Sequence, residues 1–148
     1  KLLGDDSRVY VLMSDGETNE GTTWEAAHFA VQRGLSNLIV LIDKNGLQGF
    51  DQTANVLGDT ADVQTWKAIG FDTYVVDGHN VQDILDTIDQ LNETDNGKPK
   101  VVIAKTVKGK GVSYMENRLE WHYLPMTPAQ YEQATADVNE RYLSAQVV

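Results

Sequence analysis

The sequence predicts an α/β fold, a parallel sheet with helices on both faces that gives three layers. Short apolar runs alternate along the chain with segments of helical period, and strands that alternate with helices usually form a parallel sheet. Each of the first two apolar runs is also followed by an acidic residue, and a glycine or an amide side chain comes soon after that residue. Strand ends of this composition are typical of the crevice where open parallel sheets bind ligands.

The first β-α-β unit opens the chain. Arg8 to Met13 is an apolar run typical of a buried parallel strand. Thr22 to Leu35 has a helical apolar face, and Gly34 provides a C-terminal stop. Leu38 to Ile42 is the second buried strand. The two strands are therefore expected to lie side by side, with their carboxyl ends at the same edge of the sheet.

The rest of the chain continues the alternation. A loop over 49–59 precedes a short helix marked by Val63, Trp66 and Ile69. The later elements are a strand from Phe71 to Val76, a helix capped by Asn80, a strand from Val101 to Val107, and a last helix that begins at Thr127-Pro128.

Composition limits the classes of function. The 148 residues are enough for one domain with a single core, so residues 1–148 are taken as one unit. A formal charge of −10 argues against a nucleic-acid partner, which needs a basic face. No apolar run approaches the length of a membrane span, so no membrane is expected. The absence of cysteine is compatible with a cytoplasmic location.

Two strand ends carry oxygen donors. Asp15-Gly16 follows the first strand, and Asn45-Gly46-Leu47 follows the second. A carboxylate, an amide oxygen and the carbonyl of Leu47 suit Mg²⁺ or Ca²⁺, and Mg²⁺ is commonly shared with ligand phosphates. A helix beginning after Gly16 would offer N–H groups to those phosphates. The alternative is that both dipeptides are simple turns, which they also favour.

These motifs resemble a known family. The stretch SDGETNEGTTWEAAHFAVQRGLSNLIVLIDKNGLQ is similar to the thiamine-diphosphate motif, a Gly-Asp-Gly followed later by an Asn-containing turn. Its flanks, together with VVDGHN and KTVKGKGVSYMENRLEWH, resemble transketolases, particularly the half-length N-terminal subunits of split transketolases. Two positions depart from that pattern. Ser14 replaces the first glycine, and Tyr123 stands where a glycine is usual, so the donor and acceptor sugars stay undefined.

The resemblance implies a thiamine-diphosphate-binding fold and a set of site residues. Only the second half of that domain is matched, because the part before Lys1 in the family carries substrate-facing histidines and part of the sheet. The implied cofactors are thiamine diphosphate and Mg²⁺ (or Ca²⁺). The implied metal ligands are Asp15, Asn45 and the Leu47 carbonyl, and the implied cofactor-binding residues are Asp15, Gly16, Glu17, Asn45, Leu47 and His122.

Two glutamates have competing interpretations. In transketolases, the residues that match Glu20 and Glu25 lie at the interface between subunits and connect two cofactor sites. Glu25 also lies three residues after Thr22, which is the spacing of an ordinary capping box. The resemblance favours the interface role for both.

The three histidines are not equivalent. His28 lies on the first helix with no motif around it, so a packing or surface role is expected. His79 lies in the turn after the third strand and is expected to be structural. His122 follows Glu120-Trp121 in the loop after the fourth strand. The matching family histidine reaches the diphosphate and the reacting carbon, so His122 is the implied catalytic residue.

The implied activity is that of a transferase. A transketolase moves a two-carbon ketol unit between sugar phosphates, as in the pentose phosphate pathway of the cytoplasm. The glutamate that activates the cofactor lies in a separate pyrimidine-binding domain or subunit. That domain is the implied partner, in a dimer or another homo-oligomer, and the isolated chain is expected to be inactive.

Three alternatives remain open. Deoxyxylulose-phosphate synthase and 2-oxoacid dehydrogenases share the thiamine-diphosphate motif, although KGKGVSYMEN and the Glu-Trp-His stretch favour transketolase. A non-catalytic fragment that serves association or cofactor binding is the second alternative. A nicotinamide-binding domain is the third, and it is disfavoured because no Gly-x-Gly-x-x-Gly opens the first helix.

Overall fold

The computed structural model describes residues 1–5 and 7–145, with the side chains of 142–145 excluded. The strands are β1 (Val9–Ser14), β2 (Leu38–Lys44), β3 (Asp72–Asp77) and β4 (Lys100–Lys105). The helices are α1 (Gly21–Gln32), α2 (Thr53–Val56), α3 (Val63–Ile69), α4 (Val81–Glu93) and α5 (Pro128–Ala145). Two 3₁₀ helices, Gly16–Asn19 and Leu119–His122, complete the described elements.

The four strands form one parallel sheet in the order β1-β2-β4-β3. The register pairs Ser14 with Asp43 and Lys44 with Lys105. The carboxyl ends of the strands are therefore aligned along one edge of the sheet. This confirms the predicted α/β class and brings the loops that follow β1 and β2 together.

Helices cover both faces of the sheet, as the three-layer prediction requires. On one face, α1 and α3 pack on β1, β2 and β4 through a cluster that includes Ala27, Trp66 and Ile103. The Trp66 ring centroid lies 5.0 Å from that of Phe71, in an edge-to-face contact. On the other face, α4 packs on the sheet through Leu91 against Ile39.

Several helix ends follow their local sequence. Asn80 Oδ1 accepts hydrogen bonds from the backbone N–H groups of Gln82 and Asp83 at the start of α4. The last helix begins with a reciprocal cap between Thr127 and Gln130, as its sequence predicts. At the end of α3, Gly70 has a φ of 119°, a backbone conformation open chiefly to glycine.

The edge strand β1 is only partly covered. Val9, Tyr10 and Val11 are all exposed, and Leu12 is 75% exposed. Apolar side chains point to both faces of this strand, because successive residues alternate across a sheet. The unpaired edge of this strand and its exposed side chains are called here the β1 edge (residues 9–12).

The structure differs from the predicted elements in several places. Helix α1 begins at Gly21, because a separate 3₁₀ helix fills residues 16–19. Strand β4 ends at Lys105, where Thr106 N–H bonds to the Lys44 carbonyl beyond the strand end. The segment predicted as a loop over 49–59 contains α2, a single helical turn. Within the part of the chain that the structure describes, no helix is both long and apolar enough to span a membrane.

Candidate functional site

The loops after β1 and β2 meet at the carboxyl edge of the sheet. The backbone N–H of Asp15 continues the ladder to the Asp43 carbonyl at 3.1 Å. The Asp15 side chain then reaches across to the next loop, where Oδ2 accepts a hydrogen bond of 2.6 Å from the N–H of Gly46. The structure thus brings Asp15 and the turn of Asn45–Leu47 together, as the sequence predicts.

Asp15 is a buried carboxylate, and one of its two oxygens is not hydrogen-bonded within the described residues. The residue is 1% exposed, and within the described residues its Oδ1 has no hydrogen-bond partner. Burial raises the pKa of the Asp15 carboxyl above its ordinary value of 3.8, and the N–H of Gly46 and the nearby Thr53 hydroxyl oppose that rise. An unpartnered buried carboxylate oxygen is costly unless a cation or a donor meets it.

The turn after β2 contains the other two expected metal ligands, Asn45 and the Leu47 carbonyl. Asn45 Oδ1 accepts a hydrogen bond of 3.0 Å from the Leu47 N–H, and Gly46 between them has a φ of 79°. An amide oxygen has two lone pairs, so this bond leaves one for a cation. Leu47 also forms an isolated antiparallel bridge with Gln52, which closes the turn.

The segment after Asp15 is organised differently from the expectation. Gly16–Asn19 is one 3₁₀ turn, so the long helix α1 begins at Gly21 and not directly after Gly16. The Glu17 carboxylate accepts hydrogen bonds from the N–H of Ser14 at 2.7 Å and from its hydroxyl at 3.1 Å. Ser14 Oγ in turn accepts from the Glu17 N–H at 3.2 Å. This reciprocal pair has the Ser-x-x-Glu spacing of a capping box, a sequence signal that could have predicted it.

A second layer of polar side chains fixes these loops. Gln48 Nε2 donates to Asn19 Oδ1 at 2.7 Å, and Asn19 Nδ2 donates to Thr60 Oγ1 at 2.7 Å. Thr18 Oγ1 lies 2.6 Å from Thr60 Oγ1 and donates to the Asp15 carbonyl at 2.6 Å. Sequence reasoning missed this network, because its members are distant in the chain and share no motif.

His122 lies at the rim of the same loops. It ends the second 3₁₀ helix and is exposed. A Cβ placed on Gly49 would lie 3.8 Å from both Cε1 and Nδ1 of the imidazole, so the ring lies beside the loop that continues from Gln48. Half-buried Trp121 packs against Tyr114, with the ring centroids 5.0 Å apart and the ring planes tilted by 60°, and this contact anchors the segment.

The two glutamates of the predicted interface lie at the start of α1. Glu20 and Glu25 are both exposed, so each is available to a partner. The capping-box alternative for Thr22 and Glu25 is wrong, because Glu20 is the N-cap residue and Thr22 lies inside the helix.

The structure places the other two histidines as the sequence predicts, His28 at the surface and His79 in a turn. His28 is exposed on α1. His79 Nε2 accepts a hydrogen bond of 2.7 Å from the Val107 N–H, so this ring ties the turn after β3 to the chain beyond β4.

The expected metal ligands include only one charged group, the Asp15 carboxylate. Among the described residues, no group of three His, Asp or Glu side chains is placed to hold a metal ion, and the chain has no cysteine. A cation held by Asp15, Asn45 and the Leu47 carbonyl would have one carboxylate and two neutral oxygens as its protein ligands. Such a set suits a hard divalent ion whose remaining ligands are waters or phosphates.

Comparison with known proteins points to one family, the transketolases. Residues 4–140 match the family described as "Transketolase, thiamine diphosphate binding domain". One relative is a subunit of the apulose-4-phosphate transketolase of Phocaeicola vulgatus, 42% identical over 136 residues that cover 92% of this chain and 48% of that protein. Another is the 6-deoxy-6-sulfo-D-fructose transketolase subunit SqwG of a Clostridium species, 36% identical over 134 residues that cover 89% and 48%.

A solved structure shows the same fold. Transketolase from Campylobacter jejuni superposes with a TM-score of 0.81 at 25% sequence identity, over 90% of this chain and 21% of that chain. The chain spans about half the length of the Phocaeicola and Clostridium relatives, covering 48% of each. The resemblance to transketolases, which the sequence motifs predict, is therefore confirmed.

Proposed function

This chain belongs to the transketolase thiamine-diphosphate-binding domain family, and we propose that it holds the cofactor diphosphate through a divalent cation. The proposed ligands are Asp15, Asn45 and the Leu47 carbonyl, with Mg²⁺ (or Ca²⁺) as the ion. The observation that carries the proposal is the buried Asp15 carboxylate, whose Oδ1 has no partner among the described residues.

The donors fit such an ion. Gly46 N–H orients the Asp15 carboxylate from the Oδ2 side, which leaves Oδ1 to face a cation. The adjacent Asn45 amide oxygen and the Leu47 carbonyl are neutral and hard, the donor type that Mg²⁺ and Ca²⁺ prefer. With one protein carboxylate, most of the remaining negative charge comes from the diphosphate, so cation and cofactor bind together.

The neighbouring residues shape the diphosphate position. Gly16 lacks a side chain, so its backbone can approach the phosphates. The Glu17 carboxylate holds Ser14, so its proposed contribution to cofactor binding acts through the shape of this turn. His122 lies at the rim beside Gly49, where an imidazole can donate to a phosphate or to a substrate oxygen.

The proposed reaction is ketol transfer. Bound thiamine diphosphate supplies the carbanion chemistry that lets a two-carbon unit leave one sugar phosphate and join another. The protein's contribution here is to bind and orient the diphosphate and to place His122 next to the reacting groups. The pentose phosphate pathway in the cytoplasm is the setting that we propose for this reaction.

The proposed partner is a pyrimidine-binding subunit or domain, in a dimer or larger homo-oligomer. Two of the relatives are named as subunits, and the chain spans about half of each. Exposed Glu20 and Glu25 are the proposed contacts at the interface between subunits. The apolar β1 edge offers a further uncovered surface. We accordingly propose that the chain acts within an assembly and is inactive alone.

Calorimetric titration with thiamine diphosphate tests the proposal, using the complete polypeptide that carries this sequence. We expect saturable binding with Mg²⁺ present and none with a chelator. Absence of binding under both conditions would overturn the proposal. Binding followed by no transfer between sugar phosphates, in the presence of the pyrimidine-binding partner, would instead favour a non-catalytic cofactor-binding role.

A further inference from the structure

A cavity of about 180 Å³ lies at the amino-terminal edge of the sheet, at the opposite end of the strands from the candidate cation site. Its lining comes from the segments that precede β1 and β2, from Lys100 at the start of β4 and from the end of α4. Strand β4 has six residues, so the two ends of the sheet are roughly 17 Å apart at about 3.3 Å per residue. The cavity is therefore separate from the groups proposed to bind the cofactor.

Lys100 is a buried lysine in the lining of this cavity, and it is only 2% exposed. Its ammonium donates a hydrogen bond of 2.9 Å to the Ser36 carbonyl. Burial lowers the pKa of the Lys100 ammonium below its ordinary value of 10.5, and the charges of Asp72 and Asp95 partly oppose that effect. An ammonium carries three donors, and the described residues supply one hydrogen-bond acceptor to this one. Two of its donors are therefore left for a ligand.

The charge at this cavity is opposite to that of the chain as a whole. The chain has a formal charge of −10, yet the charged side chains in the lining are three cations and one carboxylate, namely Lys1, Arg8, Lys100 and Asp95. The Asp95 carboxylate lies 3.3 Å from the Lys1 ammonium. Arg8 and Lys100 have no ion-pair partner within the part of the chain that the structure describes. Two unpaired cations in one concave site attract anions.

The end of α4 accounts for only one of these two cations. Arg8 donates a hydrogen bond of 3.3 Å to the Asn92 carbonyl, and a cation is favourable near the carboxyl end of a helix. Lys100 instead bonds to Ser36, in the turn before β2. A buried ammonium held by one neutral carbonyl is costly, and a methionine would fill similar space without that cost. A ligand of negative charge would complete the bonds of Lys100 and offset the cost of its burial.

We propose that this cavity binds a small oxyanion of the phosphate type, either free phosphate or the phosphate group of a metabolite. Its cationic ligands are the Lys100 ammonium, a compact charge, and the Arg8 guanidinium, whose planar N–H groups match phosphate oxygens. The cavity volume is well above the roughly 30 Å³ of one water molecule in the liquid, so a small oxyanion has room. This inference does not depend on the proposed function at the other edge of the sheet.

Titration of the complete polypeptide with inorganic phosphate tests the inference, at constant ionic strength and with a chelator present. The readouts are the heat of binding and the melting temperature. Lys100→Met removes the buried ammonium, and Arg8→Gln removes an exposed charge, so Arg8→Gln decides the test if the buried substitution prevents folding. Lys98→Met is the matched control, because Lys98 is an exposed lysine two residues before Lys100 and is not part of the cavity lining.

We expect saturable phosphate binding by wild type, with a melting temperature that rises with phosphate concentration. Lys100→Met and Arg8→Gln should each weaken binding about tenfold or more, the usual effect of losing a hydrogen bond to a charged group. Lys98→Met should bind phosphate as wild type does. Binding of thiamine diphosphate with Mg²⁺ should be the same in all three variants, because the cavity lies at the other edge of the sheet.

Methyl phosphate distinguishes the two sources of the anion. Binding at least as tight as that of inorganic phosphate would identify the ligand as the phosphate group of a metabolite. Weaker binding or exclusion of the ester would identify it as free phosphate.

Three results would overturn the inference. The first is the absence of saturable phosphate binding by wild type. The second is unchanged phosphate binding in a folded Lys100→Met or Arg8→Gln variant. The third is an equal loss in Lys98→Met, which would show a general effect of surface charge. Wild-type protein that binds phosphate in this way but does not bind thiamine diphosphate would overturn the proposed function alone.

Discussion

The N–H of Gly46 lies 2.6 Å from Oδ2 of Asp15 and joins the loops that follow β1 and β2. This bond crosses between neighbouring parallel strands at their carboxyl ends. It uses one oxygen of a carboxylate that is 1% exposed and leaves the other without a partner in the described part of the chain. The chemistry of the site, and the first two predictions, depend on that unpartnered oxygen.

Replacing Asp15 by alanine should abolish metal-dependent binding of thiamine diphosphate. Asp15 is the only charged ligand in the proposed set, so its loss removes most of the attraction for a divalent cation. Calorimetric titration with Mg²⁺ and with a chelator measures the change. Asp89→Ala, at an exposed carboxylate on α4, should bind as wild type does. Equal affinities in Asp15→Ala and wild type under both conditions would place the site elsewhere.

Replacing Asp15 by asparagine should stabilise the metal-free protein at pH 7. Burial raises the pKa of Asp15 above 3.8, so the folded state holds the proton more tightly than the unfolded chain does. That contribution to stability is complete below pH 3.8 and is lost as the pH rises through the raised pKa. Asparagine keeps an oxygen for the Gly46 N–H and carries no charge at any of these pH values.

The measurement is the melting temperature of both proteins from acid to neutral pH, with a chelator present. The advantage of Asp15→Asn should grow as the pH rises. Saturating Mg²⁺ with thiamine diphosphate should reverse the order, because a ligand bound only by the folded wild type stabilises it. A metal-free Asp15→Asn variant that melts below wild type at pH 7 would contradict the account.

Ser14 and Glu17 should be energetically coupled. Each side chain bonds to the other residue's backbone N–H, and losing such a cap costs about 0.5–2 kcal/mol. Urea denaturation of Ser14→Ala, Glu17→Ala and the double variant forms the test. The double variant should lose less stability than the sum of the single variants. Strictly additive losses would show that the reciprocal bonds contribute nothing.

His122→Ala should slow ketol transfer in the assembled enzyme about a hundredfold or more, the lower range for a lost proton donor or acceptor. The fold should be unaffected, since substitution of an exposed side chain usually changes stability by less than about 0.5 kcal/mol. His28→Ala is the matched control, an exposed histidine on α1, and should retain full activity. Comparable rates for both variants and wild type would remove His122 from the reaction.

Much of this arrangement could be predicted from local sequence. Buried parallel strands are recognisable as short apolar runs, and the acid and amide that follow β1 and β2 must meet if those strands are neighbours. This reasoning places Asp15 beside Asn45 without any structural information. The caps at Asn80 and Thr127 were predictable for a similar reason, because they depend on residues within one helical turn.

The remaining features depend on contacts that local sequence does not encode. Thr53 lies in a segment without apolar periodicity, and its position follows from a backbone bond to Gly46. The hydrogen bonds of Asn19 with Gln48 and Thr60 join separate loops. A helix was expected to begin directly after Gly16, but residues 16–19 form a separate 3₁₀ turn and α1 begins only at Gly21.

Anomalous diffraction from crystals grown with Ca²⁺ and thiamine diphosphate tests the central claim most directly. We predict one strong anomalous peak at the carboxyl edge of the sheet. Asp15 Oδ1, Asn45 Oδ1 and the Leu47 carbonyl should each lie about 2.3–2.6 Å from the ion, the usual range for Ca²⁺–oxygen bonds. A diphosphate bound with no ion at Asp15, or an ion held by other residues, would contradict the claim.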